Sequence, residues 1–111
     1  KDDTPGCTAE ACSFRDSMTT LTNRGIAVLG VSVDSEKSHL RFASKHNLNF
    51  PLISDKKSIV RAYGVESPFG TAKRTTFIIG PDGIVKYVFT NVNTKTHAVD
   101  VLNKIEELGL A

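Results

Sequence analysis

The chain has 111 residues, a net charge of +2 and 23% charged residues, which is enough for one globular domain and not for two. Its lysines and arginines are interspersed with acidic residues, so no clustered basic face indicates nucleic-acid binding. No apolar run approaches the roughly 20 residues that a membrane span needs. We therefore expect neither a nucleic-acid nor a membrane partner.

Apolar residues at helical intervals predict a first helix over residues 8–24, with Gly25 as its stop. The stretch 26–34 is apolar and rich in β-branched residues, as is typical of a buried parallel strand. The face that the first helix is expected to bury consists of Ala11, Phe14, Met18 and Leu21.

A second helix is predicted over residues 36–46, with Ser35 as its N-cap and Asn47 as its end. A short strand at 50–54 and a short helix at 58–63 follow. The residues expected to point inward from the second helix are Leu40, Phe42 and Ala43.

The last third of the sequence predicts a loop, a hairpin and a terminal helix. Residues 66–72 are rich in Gly, Pro and Ser and predict a loop, while residues 74–90 read as strand, turn and strand. Pro81-Asp82-Gly83 forms the turn, because proline fixes φ and glycine accepts a positive φ. Residues 97–108 predict a helix whose apolar face consists of Val101, Leu102, Ile105 and Leu108.

The predicted order α-β-α-β-α-β-β-α implies an α/β domain over residues 1–111, with a mixed sheet flanked by helices. A helix that starts at about residue 6 in such a fold should follow a strand, and none precedes it here. The chain also starts with Lys rather than Met. We therefore expect the domain to be N-terminally incomplete.

The two cysteines of the chain lie together in its first helix. Thr4-Pro5-Gly6 is a helix-start sequence that places Cys7 in the first turn. Unpaired backbone N–H groups and the helix dipole favour an anion there, and they lower a cysteine pKa from its usual ~8.5. Cys7 is therefore placed to be a reactive thiolate.

Cys12 follows Cys7 by five residues, which on an ideal helix gives a Cα separation of roughly 8–9 Å. A disulfide needs less than about 7 Å, so the two thiols can bond only if the first turns unwind. The C-x4-C spacing and the scattered His39, His46 and His97 do not favour a zinc site, and these histidines are expected at the surface or at helix ends. No cofactor is expected.

The segment TPGCTAEACSFRD (residues 4–16) closely resembles the peroxidatic motif of the peroxiredoxins, in particular the Q-type branch, also called bacterioferritin comigratory proteins. The stretches GIAVLGVSVDS, NLNFPLISD and GTAKRTTFIIGPDGIV resemble later segments of that family in the same order. The resemblance covers essentially all of the chain. It implies a thioredoxin-like fold whose N-terminal strands are absent here.

The resemblance also implies an active site. Cys7 matches the peroxidatic cysteine, Thr4 the threonine that orients the peroxide, and Arg74 the arginine that stabilises the thiolate. Cys12 matches the resolving cysteine of the atypical two-cysteine subtype. The motif proline of the family would fall one residue ahead of Lys1.

The implied function is a thiol peroxidase that reduces hydrogen peroxide and organic hydroperoxides and is recycled by thioredoxin or a similar dithiol. We expect a monomer in the cytoplasm, with a plastid as the alternative. Glu10 is expected either to cap the helix or to order the site, and Arg15 either to join a salt-bridge network around the site or to be solvated. Two alternatives stay open: a non-catalytic fragment that acts as a binding or assembly unit, and a dithiol oxidoreductase, which the lack of C-x2-C weakens.

Overall fold

The computed structural model describes residues 2–110 of the chain. The order of its helices and strands is the predicted α-β-α-β-α-β-β-α. The elements are α1 (Pro5–Asn23), β1 (Gly30–Ser32), α2 (Glu36–His46), β2 (Leu52–Ser54), α3 (Ser58–Ala62), β3 (Thr76–Ile79), β4 (Val85–Phe89) and α4 (His97–Glu107). No helix within residues 2–110 has both the length and the apolar character needed to cross a membrane.

The strands form two separate sheets rather than one mixed sheet. β1 pairs in parallel with β2, and β3 pairs antiparallel with β4 with a register shift between Ile78 and Ile79. The predicted strand over 26–34 is shortened to Gly30–Ser32, because β2 offers partners to these three residues alone. In the described part of the chain, no strand joins β1 to β3.

An open groove of about 880 Å³ lies between the two sheets. Its walls are largely apolar and come from both sides, with Val28 and Val31 on the β1 side and Phe77 and Ile78 on the β3 side. Cys7 also lines this groove. The separation of the sheets therefore leaves the start of α1 next to a cleft.

The core lies where α1 packs against α4 and the hairpin. Phe14 and Leu21 of α1 are buried as predicted, and Met18 packs against them. In α2, Phe42 is buried but Leu40 is 73% exposed, so the inward orientation predicted for Leu40 is wrong. The core residues that α4 contributes are Ala98, Val101 and Ile105.

The predicted helix ends are confirmed where they depend on backbone conformation. Ser35 accepts a hydrogen bond from the Ser38 N–H at 3.1 Å and caps α2, which ends at Asn47 in the left-handed conformation. Gly25, with φ of 72°, follows α1, and Gly83, with φ of 79°, completes the hairpin turn. Thr4 has the extended backbone of an N-cap, but its side chain makes no capping hydrogen bond.

Two of the three histidines are buried. His46 and His97 lie at helix ends as predicted, but His39 lies inside α2, so the prediction of a surface or helix-end position is wrong for His39. His39 is 6% exposed and His97 is 1% exposed. His97 packs edge-on against Phe14 and lies 2.7 Å from the Thr76 hydroxyl through Nε2. A histidine can be buried when polar neighbours form hydrogen bonds with its ring nitrogens. Here those neighbours, Thr76 for His97 and Asp2 for His39, are distant in the sequence.

Leu21→Ala should lower the free energy of unfolding by about 2–5 kcal/mol, because Leu21 is fully buried and its loss leaves a cavity. Leu40→Ala is the matched control, and its effect should stay within about 0.5 kcal/mol because Leu40 is exposed. Urea unfolding followed by circular dichroism measures both. Equal effects of the two substitutions would contradict the assigned packing of α1 and α2.

Candidate active site

Cys7 lies in the first turn of α1, two residues after the helix starts at Pro5. Its side chain is partly buried. Burial raises the pKa of the Cys7 thiol, but hydrogen bonds, including those from the Thr4 hydroxyl and the Arg74 guanidinium, outweigh burial and lower the pKa below its ordinary value. The site therefore favours the thiolate, the nucleophilic form of cysteine.

Arg74 reaches Cys7 from 67 residues further along the chain. Its Nη2 atom donates a hydrogen bond to Cys7 Sγ at 3.3 Å. On the other side, Arg74 Nε lies 3.4 Å from Glu10 Oε1. Burial raises the pKa of Glu10, and the charge of Arg74 opposes that rise. The guanidinium thus lies between a thiol and a carboxyl group of the same helix.

The position of Arg74 depends on how β3 is fastened to the two long helices. Arg74 comes two residues before β3, whose first residue, Thr76, contacts the His97 ring at the start of α4. The Ser13 hydroxyl of α1 accepts a hydrogen bond from the Ala98 N–H at 3.2 Å. These contacts fix the starts of β3 and α4 against the first half of α1.

Gly6 gives the guanidinium its space. A Cβ atom at Gly6 would lie 2.7 Å from Arg74 Nη1 and 2.8 Å from Nη2, distances that side chains do not tolerate without moving. Glycine is a poor helix former, so its presence in the first turn has a conformational cost. Sequence reasoning treated Gly6 as part of a helix-start signal and missed this role.

Glu10 and Arg15 make different contacts. Glu10 lies beyond the first turn of α1 and contacts Arg74, so the alternative of helix capping does not hold. Arg15 pairs with the exposed Asp16 at 2.9 Å and donates to the His46 backbone carbonyl at 2.7 Å. These contacts hold α1 against the end of α2, and neither of them involves Arg74 or Cys7.

Cys12 lies on the same unbroken helix as Cys7, and neither cysteine is in a disulfide in the part of the chain that the structure describes. Five helical residues rise about 7.5 Å and turn the side chain by about 140°. The two sulfur atoms therefore face different directions while the helix is intact.

A second polar cluster was missed because its members are far apart in sequence. Ligand atoms of Asp2, Asp34 and His39 lie within 4.8 Å of one another. In the structure the three side chains belong to a hydrogen-bond network that includes Ser32 and Ser38.

Comparison with known proteins places this geometry in a family. The AhpC/TSA family model matches residues 1–88. The chain belongs to the AhpC/TSA family. Among its relatives on the peroxiredoxin Q branch is a putative peroxiredoxin Bcp of Coxiella burnetii, 43% identical over 95% of this chain and 75% of the relative. The chloroplastic peroxiredoxin Q of Sedum lineare is 40% identical over 96% of this chain and 60% of that protein.

The bacterioferritin comigratory protein of Xanthomonas campestris has a solved structure that superposes with a TM-score of 0.87 at 34% identity. The match covers 96% of this chain and 72% of that protein. The predicted resemblance to Q-type peroxiredoxins and the thioredoxin-like fold are therefore confirmed. The chain spans about three quarters of the bacterial relatives and less than two thirds of the plant one.

Gly6→Ala should raise the titration midpoint of the Cys7 thiol, because the added methyl group displaces the Arg74 guanidinium. Stability should not fall, since alanine is the better helix former by up to about 1 kcal/mol. Arg74→Met should shift the midpoint in the same direction. Thiolate absorbance against pH measures the midpoint, with Cys12→Ser as the common background.

The matched control for this substitution is Gly80→Ala, whose Cβ would crowd the flexible Lys86 at 2.6 Å and not Arg74. It should leave the midpoint unchanged. An unshifted midpoint in both Gly6→Ala and Arg74→Met would contradict the assigned contact between Arg74 and Cys7.

The lowered pKa of Cys7 also has a consequence for folding. The Cys7 thiolate stabilises the folded chain at pH values above the pKa of the thiol in the unfolded chain. This stabilisation is lost as the pH falls through the pKa of the thiol in the folded chain.

Proposed function

We propose that the chain is a thiol peroxidase that reduces hydrogen peroxide and organic hydroperoxides at Cys7. The observation that supports this most strongly is the contact between Arg74 Nη2 and Cys7 Sγ at the start of α1. A permanently charged guanidinium beside a helix-terminal thiol favours the thiolate before reaction. The same guanidinium can meet the negative charge that develops on the peroxide oxygen during reaction.

In the first step the Cys7 thiolate attacks one peroxide oxygen. The S–O bond forms and the O–O bond breaks, so the sulfur is oxidised by two electrons and the peroxide is reduced. The departing oxygen takes up a proton and leaves as water or an alcohol, and Cys7 becomes a sulfenic acid. Thr4 is assigned to orient the peroxide, because a hydroxyl can both donate and accept hydrogen bonds.

In the second step the Cys12 thiol attacks the Cys7 sulfenic acid. The S–S bond forms, the S–O bond breaks and water leaves. The first turns of α1 have to unwind for this step, since the intact helix holds the two sulfur atoms apart. A dithiol then reduces the disulfide by exchange, and thioredoxin is the proposed reductant.

The substrate range and the location rest on the relatives. The work on the Xanthomonas campestris protein describes its alkyl peroxide reduction activity, which supports organic hydroperoxides as substrates here. We propose a cytoplasmic monomer. The plant relative is named as chloroplastic, and this supports the plastid alternative.

Cys7→Ser should reduce peroxide turnover to background in an assay coupled to thioredoxin and its reductase, because a serine hydroxyl is not ionised at neutral pH. Cys12→Ser should still consume one equivalent of peroxide and accumulate a sulfenic acid at Cys7, but it should not turn over with thioredoxin. Arg24→Lys serves as a control away from the site, and it keeps the charge facing Glu106.

Two results would revise the proposal. Wild-type turnover in Cys7→Ser would exclude Cys7 as the nucleophile. Full turnover in Cys12→Ser would replace the two-cysteine mechanism by a one-cysteine mechanism and leave the first step unchanged.

The second candidate function is a non-catalytic binding or assembly unit. It is favoured by one observation, that β1 and β3 lie on opposite sides of an apolar groove and no strand within residues 2–110 joins them. Such edges can accept a strand from another chain. Inactivity of the wild type together with a concentration-dependent dimer in light scattering would favour this candidate over the peroxidase.

A further inference from the structure

The segment that leads into α1 is fastened to the body of the protein by Asp2. The Asp2 N–H donates to Asp34 Oδ2 at 2.9 Å. The Asp2 carboxylate lies 2.7 Å from His39 Nδ1 and accepts a hydrogen bond from the Ser38 hydroxyl at 2.9 Å. The side chains of Asp2 and His39 are only 10% and 7% exposed, so this is a nearly dry contact.

The other ring nitrogen of His39 also faces acceptors. His39 Nε2 lies 3.2 Å from the Ile53 carbonyl oxygen, which can only accept a hydrogen bond. It lies 3.3 Å from Ser32 Oγ, whose hydrogen is already donated to Asp34 Oδ2 at 2.7 Å. A neutral imidazole has one donor, whereas an imidazolium has two. An imidazolium donates from both ring nitrogens and so satisfies both sets of contacts.

The charges around the ring agree with this protonation state. Asp2 from the leading segment and Asp34 from the β1–α2 connection both lie within reach of the ring. Burial raises the pKa of Asp34, and hydrogen bonds from Ser32 and from the Asp2 N–H outweigh burial and lower it, with a contribution from the charge of His39. Ser38 of α2, which contacts Asp2, and Ile53 of β2, which contacts His39, are uncharged.

The cluster acts on the part of the chain that carries Thr4. Asp3, between the cluster and Thr4, has a left-handed φ of 60°, a conformation that is uncommon for residues with a side chain and that aspartate adopts more readily than most of them. The Asp3 carboxylate contacts Lys45 Nζ at 2.9 Å and lies 3.7 Å from His46 Nε2, but the Asp3 side chain is 58% exposed and ion pairs of exposed side chains contribute little. The constraint on this turn therefore comes mainly from the buried Asp2–His39 contact.

We propose that His39 is a positioning residue for the peroxidase site: as an imidazolium held by Asp2 and Asp34, it fixes residues 2–4 so that the Thr4 hydroxyl stays directed at Cys7. This role rests on the proposed function of Cys7 and Thr4. It acts through Asp2 and the backbone, and His39 touches neither the peroxide nor the reacting sulfur. We call the contact between Asp2, Asp34 and His39 the His39 latch.

Asp2→Asn tests the latch, because the amide keeps the size of the side chain and the backbone hydrogen bond to Asp34. Removing a negative charge near a thiol should by itself lower its titration midpoint. Loss of the Thr4 hydrogen bond should raise it. The latch predicts a raised midpoint for Cys7 and a slower reaction with hydrogen peroxide, by about tenfold, since small displacements of catalytic groups have effects of this size or larger.

Asp3→Asn is the matched control, since asparagine also tolerates a left-handed φ and the variant loses only the contacts of the exposed Asp3 carboxylate with Lys45 and with His46 Nε2, which lies 3.7 Å away. Because solvent screens the charge of the exposed Asp3 carboxylate, this variant should leave both the midpoint and the rate unchanged. Ser38→Ala, a milder change that removes one hydrogen bond to Asp2, should shift the midpoint in the same direction by less. This variant serves as the test if Asp2→Asn does not fold.

Nitrogen-15 spectra of the histidine rings give an independent readout of the wild type at pH 7. His39 should show two protonated ring nitrogens, and a neutral His39 ring would overturn the latch. The latch would also be overturned if the titration midpoint of Cys7 fell or stayed constant in Asp2→Asn. If Asp2→Asn does not fold, the same result in Ser38→Ala would overturn the latch. The titration needs no peroxide, so a wild-type chain that does not react with peroxide would refute the proposed function without deciding the latch.

Discussion

The contact between the Arg74 guanidinium and the Cys7 thiol is the interaction on which the rest of the site depends. It needs three separate conditions: α1 must start at Pro5 so that Cys7 lies in its first turn, Gly6 must carry no side chain, and β3 must begin next to α4 so that Arg74 is delivered to the helix. The buried His97 meets the last condition, because it joins Thr76 to the core formed by α1 and α4. Core packing and chemistry are therefore coupled through the start of β3.

The order of the elements could be predicted from the sequence because it depends on local signals. Periodicity, Ser35, Asn47 and the Pro81-Asp82-Gly83 turn are read within a few residues, and the structure confirms them. Pairing and burial are not local. The strand expected over 26–34 shortens to the three residues that β2 can pair, and Leu40 is exposed because α2 contacts its neighbours through a narrower face than its apolar pattern suggested.

The same distinction explains which site residues could be anticipated. Cys7, Thr4, Cys12 and Arg74 belong to motifs and were assigned from the resemblance. Gly6 and His39 are different, because their roles depend on Arg74 and Asp2, which are at least 37 residues away in the chain and touch them only after folding. A glycine in the first turn of α1 and a histidine within α2 were the available signals, and both have ordinary structural explanations. Long-range geometry was needed to assign them.

The central claim is that peroxide oxidises Cys7 and that Cys12 then captures it. Treatment of the reduced protein with one equivalent of hydrogen peroxide, followed by cleavage at Glu10 and mass spectrometry without reductant, tests this directly, because Glu10 lies between the two cysteines. The account predicts that the two peptides stay joined by a Cys7–Cys12 disulfide and separate on reduction. Separate peptides with an unoxidised Cys7 would contradict it.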